Sequence, residues 1–220
     1  MSSNAPSTMP KFSLSTPNWS KIFKDNYRKY SVPTGAADDD STTVKVPVFE
    51  RGNLEAALYW RKQFEDLIDL KNLDSAAKFT NARILTAGAG REKWNKAVEE
   101  VLGDNNPTNA RFHQTMLAFI KKCGATNETA EDLRDFIMSA KKPSDMSFEN
   151  FKQRLEELDD YLPYLPGPLN HRLGDDQLFV TLKKCVPAWQ KKYTESNARK
   201  NIEDINDLAD YYADLEDTQS

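Results

Sequence analysis

The chain has 220 residues, of which 39% are apolar and 29% charged, with a formal net charge of −4. That length suits one large domain or two small ones, at roughly 100–150 residues each. The negative balance weighs against nucleic-acid binding as a property of the whole chain, and leaves it to a local basic segment. No apolar run nears the roughly 18 residues of a membrane helix and no hydrophobic signal core opens the chain, so the expectation is a cytoplasmic protein without a membrane span.

Residues 1–17 are rich in Ser, Pro, Asn and Thr and are expected to be disordered, because they bury too little surface to offset chain entropy. "TPNWSKIFKDNYRKY" follows. A helix over 18–30, capped by Thr16 or Asn18, would place Trp19, Phe23, Tyr27 and Tyr30 on one face. Lys21, Lys24, Arg28 and Lys29 supply positive charge beside that face. Trp19 and these four basic residues are the candidate surface for RNA or an anionic membrane; the competing reading packs the aromatic rings onto the helical body. Residues 31–43 read as a linker. "VKVPVF", 44–49, alternates and is rich in β-branched residues, and Pro47 restricts it to an edge or isolated strand.

From Asn53 the pattern is helical. Ala57, Trp60, Phe64 and Leu67 form the first stripe, and Asp74 or Ser75 caps a second with Ala77, Thr80, Ile84 and Ala87 aligned. "GAG", 88–90, reads as a break and a loop between helices. Trp94, Ala97, Val98, Val101 and Leu102 mark the third, ended by Gly103. Phe112, Thr115, Met116, Phe119 and Ile120 mark the fourth, ended by Gly124.

A second helical group starts near Asn127. Its first helix carries Ala130, Leu133 and Ile137. Ser147 caps the next, over 148–162, with Phe148, Phe151, Leu155, Leu158 and Leu162 on one face. "PYLPGP" is a stiff connector, since its three prolines interrupt any helix. Asp175 or Asp176 opens a helix with Leu178, Leu182 and Cys185. Pro187 suits the first turn of a short one with Trp189 and Tyr193, and Ile205, Leu208, Tyr212 and Leu215 mark the last. The pattern divides into an arm and linker over 1–43, a helical lobe over 44–124 and a second over 125–220.

Little in this chain reads as chemistry. His113 and His171 lie far apart without Cys or spaced carboxylates beside them, and read as surface or capping residues. Cys123 and Cys185 sit in apolar helical stretches and read as buried free thiols. No G-x-S-x-G or phosphate-loop spacing occurs. The acidic pairs Glu156-Glu157 and Asp159-Asp160 read as solvated helix surface. No catalytic, cofactor-binding or metal-binding residue is assigned, and no enzyme is expected.

"VPVFERGNLEAALYWRKQFEDL", 46–67, resembles the opening of the Gag capsid region of gypsy-type (Metaviridae-like) LTR retrotransposons, in which an extended segment with a Phe and a Gly leads into a Trp-bearing helix. Phe49, Gly52 and Trp60 take those places. "ARILTAGAGREKW", 82–94, resembles the next helix, the small-residue break and the helix bearing Trp94. Phe148, Phe151 and Arg154 match the spacing of the family's major homology region, with "KKPSD", 141–145, where its turn stands. The chain departs from that pattern in one place: Lys142 lies near the position of the family's usual Gln. The resemblance spans roughly 44–215. It implies an all-α, retroviral-capsid-like fold of two small helical lobes with a short extended segment at the start. The N-terminal lobe would build hexamer and pentamer rings and the C-terminal lobe would join them by dimeric contacts. The implied function is self-assembly into virus-like particles enclosing element RNA, with Phe148, Phe151 and Leu155 holding the second lobe together and Arg154 serving as a structural hydrogen-bond centre. No Cys-Cys-His-Cys knuckle occurs in the 220 residues, so RNA contact falls to the basic N-terminal segment or to another module. The alternative is a domesticated helical adaptor that binds a peptide or nucleic acid as a monomer or small oligomer.

Overall fold

The computed structural model describes residues 11–33, 41–185, 202 and 204–217, and within these it contains nine α-helices and one two-stranded antiparallel hairpin. The chain divides into two compact units. One comprises residues 1–13 and 17–125, the other residues 14–16 and 126–220.

The first unit departs from the expected helix over 18–30. Helix α1 covers only Trp19–Phe23, capped by the Asn18 side chain. Lys24 and Asp25 then take left-handed φ values of 51° and 54°, and the Asp25 N–H donates to Ser20 O. Strand β1 runs over Tyr27–Pro33 and pairs with β2, Ser41–Pro47, in a register that sets Tyr27 against Pro47 and Pro33 against Ser41. Tyr, Val and Thr favour the pleated sheet, and β2 offers the segment a backbone partner across the hairpin. The supposed linker is therefore strand at 31–33 and 41–43, while residues 34–40 lie outside the described set. Pro47 ends β2, where the missing N–H costs least. Of the segment expected to be disordered, residues 11–17 are described, and Phe12 is buried among them.

Helix α2, Leu54–Lys71, starts at Asn53, whose side chain accepts from the Ala56 N–H at 2.9 Å. It buries Ala57, Trp60, Phe64 and Leu67, the stripe read from the sequence. Helix α3, Ser75–Ile84, is capped by Asp74 but buries a different face from the expected one. Phe79 and Ala82 point inward, while Thr80 is exposed and Ile84 is 42% exposed. The reason is size: the Phe79 ring meets Trp94 and Phe112 at 6.0 and 5.4 Å, and burying one aromatic ring outweighs aligning several small or polar residues. Helix α4 spans Gly88–Val101, and the "GAG" stretch is its first turn. Helix α5, Asn109–Lys122, buries Phe112, Thr115, Met116, Phe119 and Ile120, all five of the predicted set.

The second unit contains α6 (Thr129–Ser139), α7 (Phe148–Tyr161), a 3-10 turn (Leu162–Tyr164), α8 (Asp175–Cys185) and α9 (Ile205–Asp217). Ala130, Leu133 and Ile137 are buried on α6, and Leu178, Leu182 and Cys185 on α8. From α9, Leu208 and Tyr212 enter the core. Its Tyr212 ring lies 4.5 Å from Phe148, which docks the last helix on α7. The short helix expected after Pro187, with Trp189 and Tyr193, lies outside the described residues.

Candidate functional site

Two constellations stand out, one in each unit. In the first, the chain from Phe49 to Gly52 is clasped by the α3–α4 turn. The Phe49 N–H donates to Leu85 O at 2.8 Å, the Ala87 N–H donates to Phe49 O at 3.0 Å, and the Gly90 N–H reaches Glu50 O at 2.6 Å. This forms an isolated parallel bridge between Phe49 and Thr86. The extended segment is thereby satisfied by backbone from another part of the unit, which no local pattern announces. Arg91 reinforces the turn by donating Nε to Thr86 O at 2.9 Å. The Phe49 ring then enters the aromatic core, 5.7 Å from Phe119 and 6.1 Å from Trp60. Trp60 and Trp94 both reach Phe119, at 5.2 and 6.0 Å. The structure thus brings Phe49, Trp60 and Trp94 into one buried cluster. Gly52 lies at its edge, where an added Cβ would stand 3.3 Å from the Phe49 ring and 2.8 Å from the Ala56 Cβ.

Sequence reasoning missed Gly90. A Cβ there would lie 2.3 Å from Phe49 O and 2.7 Å from Phe49 Cδ1. The obstacle is backbone, so no rotamer change relieves it. Gly90→Ala should destabilise the first unit by about 1–3 kcal/mol, as overpacking does. Urea unfolding would check this, with Asn95→Ala, at an exposed position of the same helix, as a control.

In the second unit, α7 begins with the Ser147 hydroxyl accepting from the Asn150 N–H at 3.2 Å. Its first N–H, from Phe148, donates to Glu216 Oε2 of α9 at 2.9 Å. A carboxylate at a helix N-terminus satisfies an orphan donor and is attracted by the helix dipole. The other oxygen of Glu216 pairs with Lys142 Nζ at 2.9 Å, and the Lys142 side chain is only 6% exposed. Lys142 also donates its backbone N–H to Cys185 O at 3.2 Å, while Cys185 Sγ donates to Ala140 O at 2.7 Å. The turn over 140–148 is therefore tied to the ends of α8 and α9. Lys142, the departure from the resembled motif, is a central member of this network.

Phe148, Phe151 and Leu155 are all fully buried. Arg154 is buried with them, and its Nη1 donates to Glu157, whose other oxygen accepts from the Tyr161 hydroxyl at 2.8 Å. This corrects the reading of the acidic pairs as solvated surface. Glu157 is drawn into the Arg154 network. Asp159 is wholly buried, accepting from the Leu173 N–H at 2.7 Å and from Arg172 Nε at 3.0 Å. Burial works against the charge on Arg172, but its bond to Asp159 and the charges of Asp160, Asp159 and Asp175 outweigh this and hold its proton more tightly than usual. Helical periodicity gave one signal here: positions 151, 154, 155 and 158 share a face, so a charge at 154 is enclosed whenever its neighbours are.

A shallow cavity of about 580 Å³ lies against the same face of α7, between Asn150, Gln153, Arg154 and Glu157 on one side and Ser15 and Thr16 on the other. Its walls hold amides, carboxylates, hydroxyls and one guanidinium, with no Cys or His. Cys123 and Cys185 are buried and form no disulfide, and burial pushes the Cys123 thiol up to about 11. His113 is not enclosed with other ligating groups, and no group of three or more metal-ligating side chains occurs among the described residues.

The candidate basic segment is reorganised. Trp19 stacks on Tyr59 of α2 at 4.1 Å with 12° between the planes, and Phe23 is buried. Lys21, Lys24, Arg28 and Lys29 are exposed, but the last two lie on β1 and share no helical face with the first two. No helix among the described residues is long and apolar enough to cross a membrane. Comparisons with protein-family models, curated proteins and solved structures find no match to this chain.

Proposed function

We propose that the chain is a structural capsid protein of the Gag type, which self-associates through two helical units into a shell around RNA. The supporting observation is the environment of α7. The spaced Phe148, Phe151 and Arg154 form a single buried assembly, and the turn before them is tied by Lys142 and Glu216 to the last helix. An arginine enclosed at the centre of a small helical unit fixes the relative placement of several elements, and repeated weak interfaces need rigid, identical subunits if a closed shell is to form. The clasped Phe49 segment plays the corresponding part in the first unit. Function in this reading is association, with no bond made or broken.

Light scattering after size exclusion, followed by electron microscopy at raised protein concentration and salt, tests the proposal. Rings, tubes or shells are expected. A chain that stays monomeric across these conditions and captures a peptide or nucleic acid with high affinity would instead be a helical adaptor.

A further inference from the structure

Thr16 is followed by Pro17, and no other Ser or Thr among the 220 residues precedes a proline. Such a pair is the acceptor that proline-directed Ser/Thr kinases require, although alone it is a weak signal. Its setting in the fold strengthens it. Thr16 is exposed, and residues 13–18 form neither helix nor strand. Pro17 disfavours helix at Thr16 and holds the pair extended, the form in which a kinase cleft takes its substrate. Asn18, and not Thr16, caps α1, and the Thr16 hydroxyl makes no hydrogen bond among the described residues. A phosphoryl group on that oxygen therefore breaks no contact of its own.

Its surroundings are unfavourable to a phosphate. Residues 14–16 belong to the second unit, and Ser15 and Thr16 wall the cavity of about 580 Å³ on α7. Among the described lining residues the charged groups are Asp145, Glu157 and Arg154, two carboxylates against one guanidinium. The Arg154 side chain is wholly enclosed and bonded to Glu157, so it cannot swing out to a phosphate. The other Glu157 oxygen is taken by the Tyr161 hydroxyl. A phosphothreonine adds about 1.5–2 negative charges at pH 7, and beside carboxylates it disrupts packing by repulsion and by the cost of desolvation.

We propose that Thr16 is the acceptor of a proline-directed kinase, and that its phosphate releases residues 14–16 from α7. The γ-phosphoryl group of MgATP passes to Thr16 Oγ1. Its bond to the ADP oxygen breaks as the new P–O bond forms, and the hydroxyl proton goes to the catalytic carboxylate of the kinase. Release opens the cavity over Asn150, Gln153 and Arg154. Nothing in this rests on the capsid reading.

The test incubates the full chain with MgATP and a purified proline-directed kinase of the mitogen-activated class. Mass spectrometry should place a single phosphate on Thr16, and Thr16→Ala should take none. A synthetic peptide of residues 11–22 reports the activity of the kinase on the bare motif. NMR relaxation then reads the backbone of residues 14–16. Order parameters of about 0.85, the value of rigid backbone, should fall below about 0.6 in the phosphorylated chain. Thr16→Glu, with about half the charge of the phosphate, should move them part of the way, and Thr16→Val should leave them unchanged. Phosphatase treatment should restore the parent values. A peptide that accepts phosphate while the full chain does not would overturn the proposal, as would phosphate on another residue or on neither substrate. So would a phosphorylated chain in which residues 14–16 stay rigid, or an unmodified chain in which they are already mobile. A Thr16→Val variant as mobile as the phosphorylated chain would trace the release to the lost hydroxyl and sink the electrostatic account.

Discussion

Phe151→Ala should unfold or loosen the second unit and abolish assembly. Phe151 is fully buried on α7, between the similarly enclosed Phe148 and Leu155. Removing a buried Phe side chain costs roughly 3–5 kcal/mol from lost transfer energy and the cavity left behind. Whole small domains are stable by only about 5–15 kcal/mol, so this is a large share of the unit's stability. The effect should be local. Hydrogen exchange should rise across residues 126–185 and 204–217, with residues 48–125 protected as before. Arg154 amplifies the loss, because its guanidinium is buried beside the cavity and depends on fixed partners. Normal particles from this variant would sink the assignment of α7 as the structural centre of assembly.

Trp60→Ala should be as damaging in the first unit, also at roughly 3–5 kcal/mol, and Trp60→Phe should cost well under half as much. The Trp60 ring touches Phe49, Phe64 and Phe119 at 6.1, 5.7 and 5.2 Å. Its Nε1 is buried and has no hydrogen-bond partner among the described residues. An unmade buried hydrogen bond carries a penalty of about 1–3 kcal/mol. Phenylalanine gives up ring area but also removes that penalty, whereas alanine leaves a cavity among three aromatic rings. Urea unfolding of the two variants, followed by far-UV circular dichroism, would compare them. Equal losses would show that ring shape, and not desolvation of the donor, governs the site.

Helix positions were largely legible because each depends on nearby residues. Asn53, Asp74 and Ser147 cap the helices that follow them, and the stripes through Trp60, Phe119, Phe151 and Leu182 are buried as read. The α3 face was misread because spacing alone aligned Ala77, Thr80, Ile84 and Ala87 and left Phe79 off the buried face. The 18–30 segment was misread for a related reason. Its aromatic residues fit a helical period, yet residues 27–33 find a strand partner at 41–47. Whether a segment pairs depends on what lies beside it once the chain has folded.

What the sequence by itself determined was a helical protein with two groups of amphipathic helices, their caps, and the apolar residues that fill each core. These follow from backbone geometry and side-chain periodicity within a few turns. Only the tertiary structure decided that Gly90 must be bare beneath the Phe49 carbonyl, that Glu216 caps a helix that begins at Phe148 and pairs with Lys142, that Glu157 and Asp159 serve buried hydrogen bonds, and that Lys29 faces Lys45. Each of these joins residues distant in the chain, or a side chain to backbone, at contact distance. Such contacts are set by how helices and strands pack, because a buried polar group must find its partner wherever folding brings one.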